Sequence, residues 1–107
     1  VSEEGAIVNI DLYGNRVSAI SFGPEKVYLV IGRNKLCTDL EKAIHRARNY
    51  ASPMNAIRFG KNTPCTKTGQ CSDCSSEDRI CGTVSIVEWC AIKSRIHLLF
   101  VNEDLGF

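Results

Sequence analysis

The sequence predicts an α/β fold that carries a cysteine-rich loop, and three features point there. Short apolar segments rich in β-branched residues recur along the chain, one amphipathic helix stands among them, and a polar stretch holding four of the six cysteines separates the helix region from the last two apolar segments. With 107 residues, 44% hydrophobic and 23% charged, the chain has room for a single globular domain, 1–107, with the cysteine loop at 60–83 set between the helix region and the final strands.

Taken in order, residues 6–11 alternate weakly through Ile7, Val8 and Ile10 and run into Tyr13-Gly14-Asn15, a turn composition. The pattern resumes at 16–22 with Val17, Ala19 and Ile20, so two strands about a turn is the simple reading and a short helix from Arg16 the alternative. Phe22-Gly23-Pro24 interrupts, and 27–31 follows as an unbroken apolar run, the signature of a strand buried on both faces. Thr38-Asp39-Leu40-Glu41 has capping-box spacing, which predicts a helix capped by Thr38. Its apolar face is Leu40, Ala43, Ile44, Ala47 and Ala51; Glu41, Lys42, His45 and Arg48 form a solvated face, and Pro53 is expected to end it. Residues 57–59 read as a short strand, and 84–89 and 95–101 as two more joined by a short connection, with Cys90 packed in the core beside Trp89.

A strand buried on both faces needs two covering layers, and a single helix covers one. The chain therefore reads as needing either the remainder of a longer polypeptide or a homo-oligomer interface. Thirteen Lys and Arg against twelve Asp and Glu leave a charge of +1, which gives no electrostatic case for nucleic acid or an anionic membrane. The apolar runs are too short to span a bilayer and no export signal opens the chain, so the expected location is the cytoplasm.

The cysteines are placed unevenly. Cys65, Cys71, Cys74 and Cys81 follow the spacing C-x5-C-x2-C-x6-C within one loop, while Cys37 and Cys90 lie apart. Disulfide frameworks usually scatter cysteines along a chain, whereas a crowded loop suits metal ligation. From 60 to 82 the only aliphatic residue is Ile80, so hydrophobic burial cannot organise the stretch, and metal binding by four thiolates can. A C-x2-C pair grips one centre from a tight turn, and Lys61, Lys67 and Arg79 are placed to offset thiolate charge. The spacing matches neither a zinc ribbon nor a bacterial ferredoxin; iron-sulfur, zinc, and disulfides or free thiols all stay open. Elsewhere, Cys37 before a helix start, His45 and His97 lack placed partners for a catalytic pair, and the glycines show no phosphate-binding spacing.

Several segments together resemble the lactate-utilisation (LUD) domain family: Gly14-Asn15-Arg16-Val17, Phe22-Gly23-Pro24-Glu25-Lys26-Val27, Val30-Ile31-Gly32-Arg33-Asn34-Lys35, Asp39-Leu40-Glu41 and Ala51-Ser52-Pro53-Met54-Asn55-Ala56. The loop from Thr63-Pro64-Cys65 through Arg79-Ile80-Cys81 resembles the family's cysteine-bearing branch, and Arg95-Ile96-His97 to Glu103-Asp104-Leu105-Gly106 resembles its C-terminal end. The resemblance implies part of a sheet similar to that of CoA transferases and ribose-5-phosphate isomerase, with this chain as a C-terminal portion of a LUD domain. It also implies an accessory role in redox metabolism of lactate or a similar 2-hydroxy acid, alongside an iron-sulfur partner protein. By fold analogy Asn15 and Arg16 face a pocket for anionic substrates. No glycine-rich dinucleotide turn and no assembled base and acceptor are evident, so this chain alone is not expected to oxidise lactate. Two other functions stay open: a CoA-transferase-like small-molecule enzyme or binding protein with a purely structural metal, and a thiol-disulfide redox sensor.

Overall fold

β1 (Ile7–Asp11) forms where the first apolar alternation stands, and the computed structural model, which describes residues 1–107, pairs it antiparallel with β3 (Thr83–Val87), Asn9 opposite Ser85. The unbroken apolar run becomes β2 (Val27–Gly32), paired in parallel with β4 (Ile96–Val101), Leu29 opposite Leu98. The molecule is mixed α/β, with two separate two-stranded sheets. The last two strands follow each other in sequence but do not pair with each other; each closes on a strand from the first third of the chain.

Between β1 and β2 the chain is helical, not extended: α1 spans Asn15–Ser21 and buries Val17 and Ile20, three positions apart, against β1 and β3. Both ends of this short helix are held by side chains from elsewhere. At its start the buried Asp11 carboxylate accepts the Val17 N–H at 2.8 Å. At its end Arg95 donates to the carbonyls of Ala19 and Ile20 and to that of Pro24. A helix of this length is marginal by propensity alone, so these long-range contacts decide its state.

The predicted main helix starts with α2 (Leu40–Arg46), but its cap is Asp39, whose carboxylate accepts the Lys42 N–H at 2.7 Å; the Thr38 hydroxyl instead donates to that carboxylate. Helical structure does not stop at Pro53. A π-helical turn at Ala47–Ala51 leads directly into α3 (Ser52–Arg58), with Pro53 in its first turn. The Ser52 N–H bonds to the Ala47 carbonyl, one residue beyond α spacing, and this widened turn carries the chain past a residue that has no N–H of its own. The 57–59 strand is consequently absent; Ile57 and Arg58 are helical, and the Phe59 N–H caps back to Asn55 at 3.1 Å.

Burial is thin. Fourteen residues are buried, with Ala6, Ile7, Val17, Ile20, Ile31, Ala43 and Ala56 as the apolar core, and the radius of gyration of 14.1 Å exceeds the roughly 13 Å typical for this length. β2 is not buried on both faces: Tyr28 and Val30 are 57% and 63% exposed, and Leu99 beside Val30 is exposed as well. One face of this sheet is apolar and bare. Trp89 is exposed and Cys90 only half-buried, so neither joins the core. No helix is long and apolar enough to cross a membrane.

Candidate functional site

The cysteine loop leaves α3 at Gly60 and is held almost wholly by polar contacts. Thr63 is buried and precedes α4 (Pro64–Thr68), a single turn with Pro64 at its start and Gly69 in the left-handed conformation after it. Cys65 sits in this turn with its sulfur 3.1 Å from the Thr63 hydroxyl. The Cys71 N–H donates to Asn49 Oδ1 at 3.1 Å, which ties the loop to the π-helical turn. Within the C-x2-C turn Asp73 adopts φ 46°, and its N–H donates to Cys71 Sγ at 3.4 Å. A left-handed aspartate costs roughly 1 kcal/mol or more, and here it aims a backbone donor at a sulfur.

Arg79 is the centre of the loop. Its Nη1 donates to the Cys74 carbonyl at 2.5 Å, its Nε to the Cys81 carbonyl at 3.0 Å and its Nη2 to Asp73 Oδ1 at 3.0 Å. One planar fork thereby spans the backbones of two cysteines and the turn between the middle pair. The hydrogen bond to Asp73 first, and then the nearby Cys81 thiol, push the guanidinium still further above its already high range. Arg48 reaches Asp73 from the π-helical turn at 3.7 Å, so it belongs to this network and not to a solvated helix face. Asp78 accepts the Asn62 N–H at 2.8 Å and lies 3.8 Å from Lys61, closing the base of the loop.

Composition called for an organiser other than burial, and the polar network supplies one. All six cysteines are free and half-buried. No three His, Cys, Asp or Glu side chains are gathered into a metal-binding group. The donor chemistry of four thiols with a cationic clamp suits a soft metal, while the side chains as they stand do not converge as ligands. Arg48, Asn49 and Asp73 were not legible as parts of this site. The first two depend on the π-helical turn, and the third on a positive φ at a non-glycine residue.

Asn15 and Arg16 open α1. Asn15 makes no side-chain hydrogen bond, whereas Arg16 forms an ion pair with Asp11, donating through Nε at 2.7 Å, and also donates through Nη2 to the Ile10 carbonyl at 2.9 Å. Its Nη1 has no partner, and it borders a cleft of about 560 Å³ between β1, β2, α2 and α3 that Cys37 also lines. His97 stacks on Tyr28 across the parallel pair, with centroids 4.8 Å apart, and its Nε2 is buried without a partner. His45 is exposed in the last turn of α2, which runs on into the π-helical turn, and no catalytic partner is placed beside it.

The family model of the LUD domain matches residues 1–101 of the chain. No curated protein and no solved structure matches it.

Proposed function

Because the chain belongs to the LUD domain family, we propose that it serves lactate utilisation, or redox metabolism of a related 2-hydroxy acid, as an accessory protein whose cysteine loop carries a metal centre. Cys65, Cys71, Cys74 and Cys81 are the proposed ligands, and an iron-sulfur cluster is the proposed occupant, with zinc as the alternative. The observation that supports this is the Arg79 clamp on the Cys74 and Cys81 carbonyls together with the Asp73 N–H donated to Cys71 Sγ. A backbone donor aimed at a ligand sulfur and a nearby fixed cation that offsets the charge of four thiolates both suit a cluster bound through cysteine. Since the thiols do not converge, binding has to draw the loop together, and part of the binding free energy becomes folding free energy.

A cluster supplies one-electron transfer and does not activate a substrate carbon, so the proposed role is relay or assembly beside an iron-sulfur partner protein, not primary catalysis. Arg16 Nη1, the free arm of an otherwise engaged guanidinium, is the proposed contact for a substrate carboxylate near Asn15. The bare face of Tyr28, Val30 and Leu99 supports a homo-oligomer or the remainder of a longer chain as its cover.

The test is protein purified without oxygen, with its visible spectrum and with iron, sulfide and zinc measured per chain. Broad visible absorption with iron and sulfide, lost when Cys71 and Cys74 become Ser, is the expected result. Stoichiometric zinc without sulfide would assign a structural metal. No metal at all, with reversible disulfide formation among the four thiols, would make the loop a thiol-disulfide sensor and overturn the proposal.

A further inference from the structure

The cleft between the two sheets is separate from the cysteine loop's clamp, and the charges around it are unbalanced. Lys35, Arg46 and Arg58 line it together with Arg16, which is paired with Asp11, and no Asp or Glu side chain does. Neither Arg46 nor Arg58 forms an ion pair; their guanidinium groups rest on aromatic rings, Arg46 at 4.9 Å from the Tyr50 centroid and Arg58 at 4.7 Å from that of Phe59. The Lys35 ammonium packs over Gly106, where an added Cβ would lie 3.6 Å from Nζ. Burial first, and the neighbouring Arg46 charge second, lower the Lys35 pKa from its ordinary value. On the β1 wall the buried Asn9 Nδ2, another donor, has no partner.

Lys35 and Arg46 are half-buried beside one another, which destabilises the empty protein, and such an arrangement is expected where a ligand carries the opposite charge. The remaining wall, including Ile7, Ile31 and Ala43, is apolar. A volume of about 560 Å³ falls within the range of small-molecule sites and far exceeds a three-carbon hydroxy acid. We propose that this cleft binds an amphiphilic organic anion, with a carboxylate or phosphate head held by Lys35 and Arg46 and an aliphatic body laid along the apolar wall. Arg58 is a further lining cation, 5.8 Å from the Phe107 ring that also lines the cleft. The site shares no cation with the proposed metal loop, so it stands or falls independently of the metal.

The experiment uses four ten-carbon probes below their micellar concentrations: decanoate, decyl phosphate, decanol and decylamine. Binding is read by thermal shift and by protection of Cys37, which lines the cleft, from alkylation. Decanoate or decyl phosphate should raise Tm and slow Cys37 alkylation, and the tighter of the two identifies the head group. Lys35→Gln and Arg46→Gln should each weaken that binding at least about tenfold, as loss of a charge-assisted contact does. Arg33→Gln, whose native partner is Asp104 outside the cleft, should leave it unchanged. Lys35→Gln should also raise the Tm of the unliganded protein, since it removes a desolvated, repelled charge. Equal binding of decanol, equal loss in Arg33→Gln, or undiminished binding in the two cleft variants would overturn the assignment.

Discussion

Replacing Arg95 by Ala should unfold α1 selectively and cost a large part of the domain's stability. The guanidinium is buried, has no carboxylate partner, and donates to three carbonyls: Pro24 at 2.8 Å, Ile20 at 2.6 Å and Ala19 at 2.9 Å. Ala19 and Ile20 belong to the last turn of α1, whose carbonyls lack helical partners and carry the negative end of the dipole. Hydrogen bonds to a charged group contribute roughly 1.5 to 3 kcal/mol each, so three amount to about 4.5 to 9 kcal/mol gross. Burying the guanidinium costs several kcal/mol, which the truncation recovers. The net loss is about 3 kcal/mol, against a total of roughly 5 to 15 kcal/mol for a domain of this kind. At about 4 to 8 °C per kcal/mol, Tm should fall by roughly 12 to 24 °C. Urea unfolding measures the free energy, and amide exchange should show the α1 protons losing more protection than those of α2. Arg95→Lys keeps a cation that reaches fewer carbonyls, and should lose about half as much. A loss under about 1 kcal/mol in Arg95→Ala at unchanged m would refute the reasoning, because water would then be serving those carbonyls equally well.

Three further outcomes follow from the same contacts. Asp11→Ala strips the Val17 N–H of its acceptor and should cost about 3 kcal/mol in urea unfolding, whereas Asp11→Asn keeps an acceptor and should cost roughly 1; Arg16 is mostly exposed, so the ion pair itself adds little, and equal losses would contradict this. Gly32→Ala places a Cβ 2.6 Å from Leu105 N and 2.8 Å from Glu103 O, so it should push the C-terminal segment off β2, cost about 2 to 3 kcal/mol and speed proteolysis there. Hydrogen bonds from the Lys42 N–H and then from Thr38 lower the Asp39 pKa, so its stabilising contribution is complete above the ordinary aspartate value and disappears as pH falls through the lowered one. Melting curves from about pH 6 to about pH 2 should therefore lose part of their acid dependence in Asp39→Asn.

The candidate site was half legible. The spacing of Cys65, Cys71, Cys74 and Cys81, and Arg79 as a cation for them, stand in the sequence, because ligand type and local spacing are one-dimensional facts. That Arg79 grips the Cys74 and Cys81 backbones is not readable there, nor is the attachment of the loop to Asn49 and Arg48. The attachment depends on a π-helical turn that no periodicity announces. The unpaired cations of the cleft are equally invisible in a chain of net charge +1, since an excess appears only when the fold decides which charges meet.

For the fold, the sequence by itself determined the four segments that become β1 to β4 and where the main helix begins, whereas residues 16–21 and 57–58, also read there as strand, are helical. Residues of β1, β2, β3 and β4 carry their own β-branched pattern, and the Thr38-Asp39-Leu40-Glu41 segment its own cap chemistry, all acting within a few residues. It also announced a sheet face without cover, seen in the exposed Tyr28 and Val30. Tertiary structure alone decided that residues 15–21 are helical, because Val17 and Ile20 suit either state locally and the deciding groups, the Asp11 carboxylate and the Arg95 guanidinium, arrive from β1 and from the residue before β4. It likewise decided strand pairing: β3 and β4 are neighbours in sequence, yet β3 closes antiparallel on β1, which α1 and α2 also contact, and β4 closes in parallel on β2. Local propensities differ by a few tenths of a kcal/mol per residue, whereas one buried capping hydrogen bond contributes several times that, so at α1 the contacts from outside the segment prevailed.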